Sequence, residues 1–141
     1  MILYLDTSSL VKLYIQEAYS HTVREWVEEA EIIAACRVAF PETISAINRR
    51  FRNGDLSKKE YDLLVNGFSK EWAHFASIDF DEREAGRLVK KYSLRGFDAI
   101  HLSAAQLLKN SQDNISLAFS SFDERLNRAA AAEGLVVLKP A

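Results

Sequence analysis

Ile2-Leu3-Tyr4-Leu5-Asp6-Thr7-Ser8-Ser9 is the stretch from which the fold can be read. Four apolar residues run together and stop at an acid, the pattern of a short strand buried on both faces. Thr7, Ser8 and Ser9 follow, and each is a residue type that caps a helix. Leu10, Leu13 and Tyr14 then recur at helical spacing. A strand that runs straight into a helix is half of a βα unit, and the rest of the chain repeats the pattern.

Val23, Trp26, Val27 and Ala30 share one face of a second predicted helix, and residues 32–35 form a second apolar run. The segment 37–53 predicts a third helix with Phe40, Ile44, Ile47 and Phe51 as its buried stripe. Pro41 is tolerated only near a helix start, which places Glu42 in or near the first turn. Asn53-Gly54-Asp55 ends that helix. Ser57 and Glu60 form a capping box for the next, which buries Tyr61, Leu64, Val65, Phe68 and Trp72. Residues 75–80 read as a strand. Asp81 caps a helix with Ala85, Leu88, Val89 and Tyr92 inward. After a loop at Leu94-Arg95-Gly96, Asp98 opens a helix with Ile100, Ala104, Leu107 and Leu108 inward. A strand over 116–121 leads to Phe122-Asp123, a helix carries Leu126, Ala129 and Ala130 to Gly134, and residues 135–138 make the last strand. The alternation predicts an α/β fold, one domain over residues 1–141, with a parallel sheet of about five strands sandwiched by helices.

Composition narrows the functional classes. The chain has 141 residues, of which 48% are hydrophobic, enough for a core and too many for disorder. The net charge of -2 does not announce a nucleic-acid ligand, so any basic footprint must be local. Cys36 is the single cysteine, which excludes an internal disulfide and a thiolate zinc site. It reads as a small buried hydrophobe. The first residues lack a basic region and reach Asp6 at once, unlike a signal peptide. No apolar run has the length of a membrane span. A cytoplasmic protein without a membrane partner is the expectation.

The acids are the informative residues. In an open α/β sheet, ligands bind outside the carboxyl ends of the strands. Asp6 and Asp123 each follow a strand, and Glu42 and Asp98 lie at helix starts, which share that rim. Asp55, Glu60 and Asp81 read as caps or solvated acids. Asp6 and Asp98 differ, because apolar neighbours surround them in sequence and a carboxylate so placed needs a partner. Gathered acids repel one another. A divalent cation resolves the repulsion, and hard cations such as magnesium prefer oxygen ligands.

These residues resemble those of the PIN-domain ribonucleases, and most closely the VapC-type toxins of prokaryotic toxin–antitoxin pairs. The resemblance is carried by Leu5-Asp6-Thr7-Ser8, Pro41-Glu42, Asp98-Ala99-Ile100-His101-Leu102 and Ser121-Phe122-Asp123-Glu124-Arg125-Leu126. It spans nearly the whole chain, and acids occupy all four acidic positions of the family pattern. It implies a parallel α/β sandwich that cleaves RNA. It implies a magnesium or manganese site held by Asp6, Glu42, Asp98 and Asp123, with Ser8 and Ser121 as supporting hydroxyls. It also implies a homodimer and a small antitoxin protein whose C-terminal segment covers the site. Metal chemistry of this kind activates a water for in-line attack on phosphorus, with Asp98 or Asp6 as acceptor of its proton.

RNA approaching an acidic site needs nearby cations. Lys12, Arg37, Arg49, Arg50, Arg52 and Arg95 are the candidates, although the arginines at 49, 50 and 52 read equally as a solvated helix face. His101, one turn after Asp98, is either a hydrogen-bonded core or rim histidine or a substrate contact. Two other classes compete. A haloacid-dehalogenase-type phosphatase needs a second Asp two residues after the first, where this chain has Ser8. A module that binds RNA or protein without cutting it would not need the complete acid set. An RNA-processing nuclease with no antitoxin is a third reading. No Gly-rich phosphate loop and no Gly-x-Ser-x-Gly elbow is present.

Overall fold

The computed structural model describes residues Met1–Ala141. Five parallel strands form one sheet: β1 (Ile2–Leu5), β2 (Ile32–Cys36), β3 (Ala76–Ile78), β4 (Leu117–Ser120) and β5 (Val136–Val137). Their spatial order is β3-β2-β1-β4-β5. Tyr4 pairs with Ala34 on one side and Phe119 on the other. The connection therefore reverses direction at β1 and β4, and the crevice beyond their carboxyl ends is the topological switch point.

Helices cover both faces. α1 (Thr7–Leu10), α2 (Ser20–Glu29), α3 (Ala39–Arg52) and α4 (Lys58–Trp72) pack on the face that presents Leu3, Leu5, Ala35 and Ala118. α5 (Glu82–Tyr92), α6 (Gly96–Asn110) and α7 (Glu124–Ala132) pack on the face that presents Tyr4, Ala34, Cys36 and Phe119. Adjacent strand residues thus bury opposite sides, as pleating requires. Cys36 is buried.

Local signals act as expected at several ends. Ser57 and Glu60 make the capping box, and Asp81 caps α5. Gly54 and Gly134 take the left-handed conformation, with φ of 84° and 90°. The following residues, Asp55 and Leu135, donate back to the Arg50 and Ala130 carbonyls, so each glycine closes a Schellman turn.

Four details differ from the sequence reading. α1 is a single turn that tightens into a 3-10 turn over Val11–Leu13 before Tyr14. Its cap is Asp6, not one of the hydroxyl residues after it. α6 starts at Gly96, so Asp98 sits inside its first turn. Leu107 is 43% exposed rather than inward. The buried face of α6 centres on His101, Leu102 and Ala105, and Leu107 lies about 200° round the helix from Ala105.

Glu133, just beyond α7, ties the second helical layer together. It accepts from Arg87, Lys91 and Tyr92 of α5 and from Gln106 of α6. The Tyr92 hydroxyl leads these donors in pulling the Glu133 carboxyl down to about 2. Its contribution to stability is full above the ordinary carboxylate range near 4.5 and fades as pH falls toward 2. Glu133→Gln should lower unfolding free energy by about 1–2 kcal/mol at pH 7. The deficit should shrink on acidification in urea melts taken between pH 7 and 2.5; a deficit independent of pH would contradict the assignment.

Candidate active site

The four acids line one cleft of about 430 Å3 at the switch point. Thr7, Ser8, Arg49, Arg95, His101 and Phe122 complete its wall. Asp6 leaves the end of β1, Asp123 follows β4, and Glu42 and Asp98 project from the first turns of α3 and α6. The convergence inferred from strand ends and helix starts is the one found.

Each carboxylate is held differently. Asp6 is 3% exposed, and its Oδ1 accepts from the Ser8 hydroxyl at 2.7 Å and the Ser9 N–H at 3.0 Å. Burial pushes the Asp6 carboxyl above its ordinary value, against the opposing pull of His101 and the Ser121 and Ser8 hydroxyls. Ser8 also accepts from the Phe122 N–H at 2.9 Å, which fastens the end of β1 to the loop after β4. Ser121 accepts from the Asp123 N–H at 3.0 Å. Asp123 caps α7 through Oδ1, which takes the Leu126 N–H at 2.8 Å.

Glu42 is the terminus of a buried relay. Its Oε1 accepts from the Thr7 hydroxyl at 2.6 Å and stands 2.9 Å from His101 Nε2. His101 Nδ1 lies 2.9 Å from the Tyr4 hydroxyl. An ionised Glu42 can only accept, so Nε2 carries a proton, and a neutral His101 then accepts the Tyr4 O–H at Nδ1. Burial works to raise the Glu42 carboxyl, and the His101 and Thr7 hydrogen bonds outweigh it, leaving Glu42 below its ordinary value. His101 is thus the hydrogen-bonded rim histidine, 2% exposed. Sequence reasoning placed it near Asp98 but missed that it serves Glu42. It gave Thr7 and Tyr4 no part in holding Glu42. The available signal was a buried strand tyrosine, which must find a partner for its hydroxyl.

Asp98 and Asp123 share a cation from the protein itself. Arg95 donates from Nε to Asp98 Oδ2 at 3.1 Å and from Nη2 to Asp123 Oδ2 at 3.3 Å. The arginine is 79% exposed. No three acidic, imidazole or thiol side chains stand together as a ready-made ligand cluster. In chemistry the donor set fits a hard divalent ion, because it consists of carboxylate oxygens in one cleft. In position, such an ion needs Arg95 to give way.

The other predicted cations divide into paired and free. Lys12 is buried, bonded to Glu17 at 2.9 Å and set over the Phe122 ring at 4.6 Å. Arg50 pairs with Asp55, and Arg37 with Asp79. Arg49 is exposed on the cleft wall, one face of α3 below Glu42, and pairs with no carboxylate.

This geometry defines an acid-lined α/β fold with its site at a strand crossover. The PIN domain model matches residues 3–132, and the chain belongs to the PIN-domain family. It is 29% identical over 136 residues to Ribonuclease VapC45 and, to the same degree, to Ribonuclease VapC49, both of Mycobacterium tuberculosis, covering 94% of this chain and 92% of each relative. Its fold is similar to that of PAE2754 from Pyrobaculum aerophilum, with a TM-score of 0.68 at 18% identity over 97% of this chain and 83% of that one. It is also similar to that of VapC20 from Mycobacterium tuberculosis, a Sarcin-Ricin loop cleaving toxin, with a TM-score of 0.63 at 16% identity over 98% and 99%.

Tyr4→Phe removes the donor to a buried ring nitrogen and should lower unfolding free energy by about 1–3 kcal/mol. Urea denaturation in EDTA checks this. An unchanged midpoint would show that the Tyr4–His101 hydrogen bond contributes nothing to stability.

Proposed function

We infer that this protein is a metal-dependent endoribonuclease acting as the toxin of a toxin–antitoxin pair. One observation carries the reading: Asp6, Glu42, Asp98 and Asp123 come from four separate elements and line one cleft. The names of the VapC ribonuclease relatives supply the substrate class. A magnesium or manganese ion bound there would ease deprotonation of a water for attack on phosphorus and would supply positive charge to offset the negative charge developing on the phosphate.

The protein's own groups do the rest. Asp6, Glu42, Asp98 and Asp123 would hold the ion. Thr7 and His101 fix Glu42 by one oxygen, so the other is presented in a set direction. Ser8 does the same for Asp6. Asp98 or Asp6 would accept the proton released by the attacking water. Arg49 and Arg95 meet the phosphates of the approaching strand. Solved neighbours of this fold include a toxin–antitoxin complex from Klebsiella pneumoniae, which motivates restraint by a small antitoxin, and the family resemblance adds a homodimer. An antitoxin arginine or lysine entering the acid cluster would occupy the place Arg95 now takes.

Purified protein should cleave RNA with magnesium or manganese and stop in EDTA. Asp98→Asn should lower the rate by about two to four orders of magnitude with the fold retained by circular dichroism. RNA binding without cleavage under every metal condition would instead make the protein a binding module.

Arg95 gives a second test. Arg95→Ala frees Asp98 and Asp123, so the manganese concentration for half-maximal activity should fall by about 2–5-fold while the KM for RNA rises. A higher metal requirement would mean that Arg95 does not compete with the ion.

A further inference from the structure

A second cleft, of about 630 Å3, adjoins the acid cleft. Thr7, Ser8, Glu42 and Arg49 line both, so the two are continuous. Their walls differ in chemistry. Beyond the shared residues, Val11, Val38, Pro41 and Ala46 make much of the second cleft apolar. Phe97 closes it from the first turn of α6, one residue before Asp98.

Phe97 is unlike the other phenylalanines. It is 58% exposed, whereas the other seven of the eight are buried or half-buried. It stacks on no aromatic ring of the protein, although ten aromatic pairs are formed elsewhere. Nothing in the fold requires a ring there, since the residue lies outside all three core clusters. Charge points the same way. Glu42 is bonded to Thr7 and His101, and Glu17 to Lys12. Arg49, at the join of the two clefts, is therefore the charge left without a partner. The Ser45 hydroxyl, exposed on the same wall, makes no hydrogen bond within the protein.

An apolar slot, a free aromatic face, a free hydroxyl and an unpaired arginine beside a phosphodiester site match the parts of a nucleotide. Bases splayed from single-stranded RNA are held by stacking on aromatic rings, and their edges by hydroxyls. We propose that this cleft is a nucleobase subsite: it takes the base next to the cleaved bond, stacked on Phe97, with Arg49 on the adjoining phosphate and Ser45 at the base edge. The assignment rests on the ribonuclease reading and adds to it where the enzyme reads its substrate. Phe97 contacts the substrate, so its identity sets the preference for the flanking base.

The test compares Phe97→Ala with Phe97→Trp in the full-length protein. A labelled mixed-sequence RNA 12-mer is titrated with magnesium on an Asp98→Asn background, and cleavage is measured with Asp98 intact. Stacking predicts that Phe97→Ala weakens binding by about 10–100-fold and raises KM accordingly with kcat little changed. Phe97→Trp should retain binding and alter which base flanks the cut. Cleavage by wild-type protein together with equal KM for the alanine and tryptophan variants would overturn the subsite and leave the ribonuclease reading standing. No RNA binding or cleavage by the wild type would overturn both. Loss of a dimer in Phe97→Ala, seen by sedimentation with KM unchanged, would assign the ring to a second copy of the chain and overturn the subsite.

Discussion

Four carboxylates facing one cleft repel one another, and the architecture around that cleft answers this repulsion. Three of the four are anchored through one oxygen by hydrogen bonds from the surrounding fold. Asp6 uses Ser8 and the Ser9 N–H, Glu42 uses Thr7 and His101, and Asp123 uses the Leu126 N–H. The anchoring fixes direction, and it leaves the second oxygen of Glu42 available, while Arg95 holds that of Asp123. Glu42 and Asp98 also sit in the first turns of long helices, where unpaired N–H groups favour negative charge. A parallel sheet suits this task because its strands end, and its following helices begin, on the same edge.

The cleft has a fixed half and an adjustable half. Asp6, Glu42, His101 and Tyr4 lie against the sheet, and His101 and Tyr4 are almost fully buried. Any reorientation there would break hydrogen bonds that water could not replace. Asp98 and Asp123 are held by Arg95, whose exposed guanidinium can exchange its partners for water at little cost. An ion entering the cleft therefore meets a preorganised wall on one side and a displaceable counter-charge on the other.

Much of this was legible in the sequence. Short apolar runs that stop at an acid mark strand ends without ambiguity, so Asp6 and Asp123 could be placed from pattern alone. Pro41 located Glu42, because a proline is confined to the start of a helix. What stayed hidden was pairing between distant side chains. Tyr4 and His101 are 97 residues apart, and no periodicity links them. Nor could sequence distinguish a free lysine from one set over an aromatic ring and paired with an acid, as Lys12 is. Asp6 and Asp123 also turned out to cap helices, which shows that capping and site chemistry are not rival roles. One oxygen can serve each.

The same reasoning explains how a protein of net charge -2 can suit a polyanion. Bulk charge is the wrong measure when the charges nearest the cleft are set by local pairing. Lys12, Arg37 and Arg50 each have a carboxylate partner, so they add little to the field at the cleft. Arg49 has none, and Arg95 is held only by acids that a metal ion would take from it. Within the wall of the cleft itself, the positive charge open to a phosphate lies on these two side chains. Such a site attracts a backbone threaded past the acids more than one lying across the general surface. Position rather than total charge then decides where a strand comes to rest.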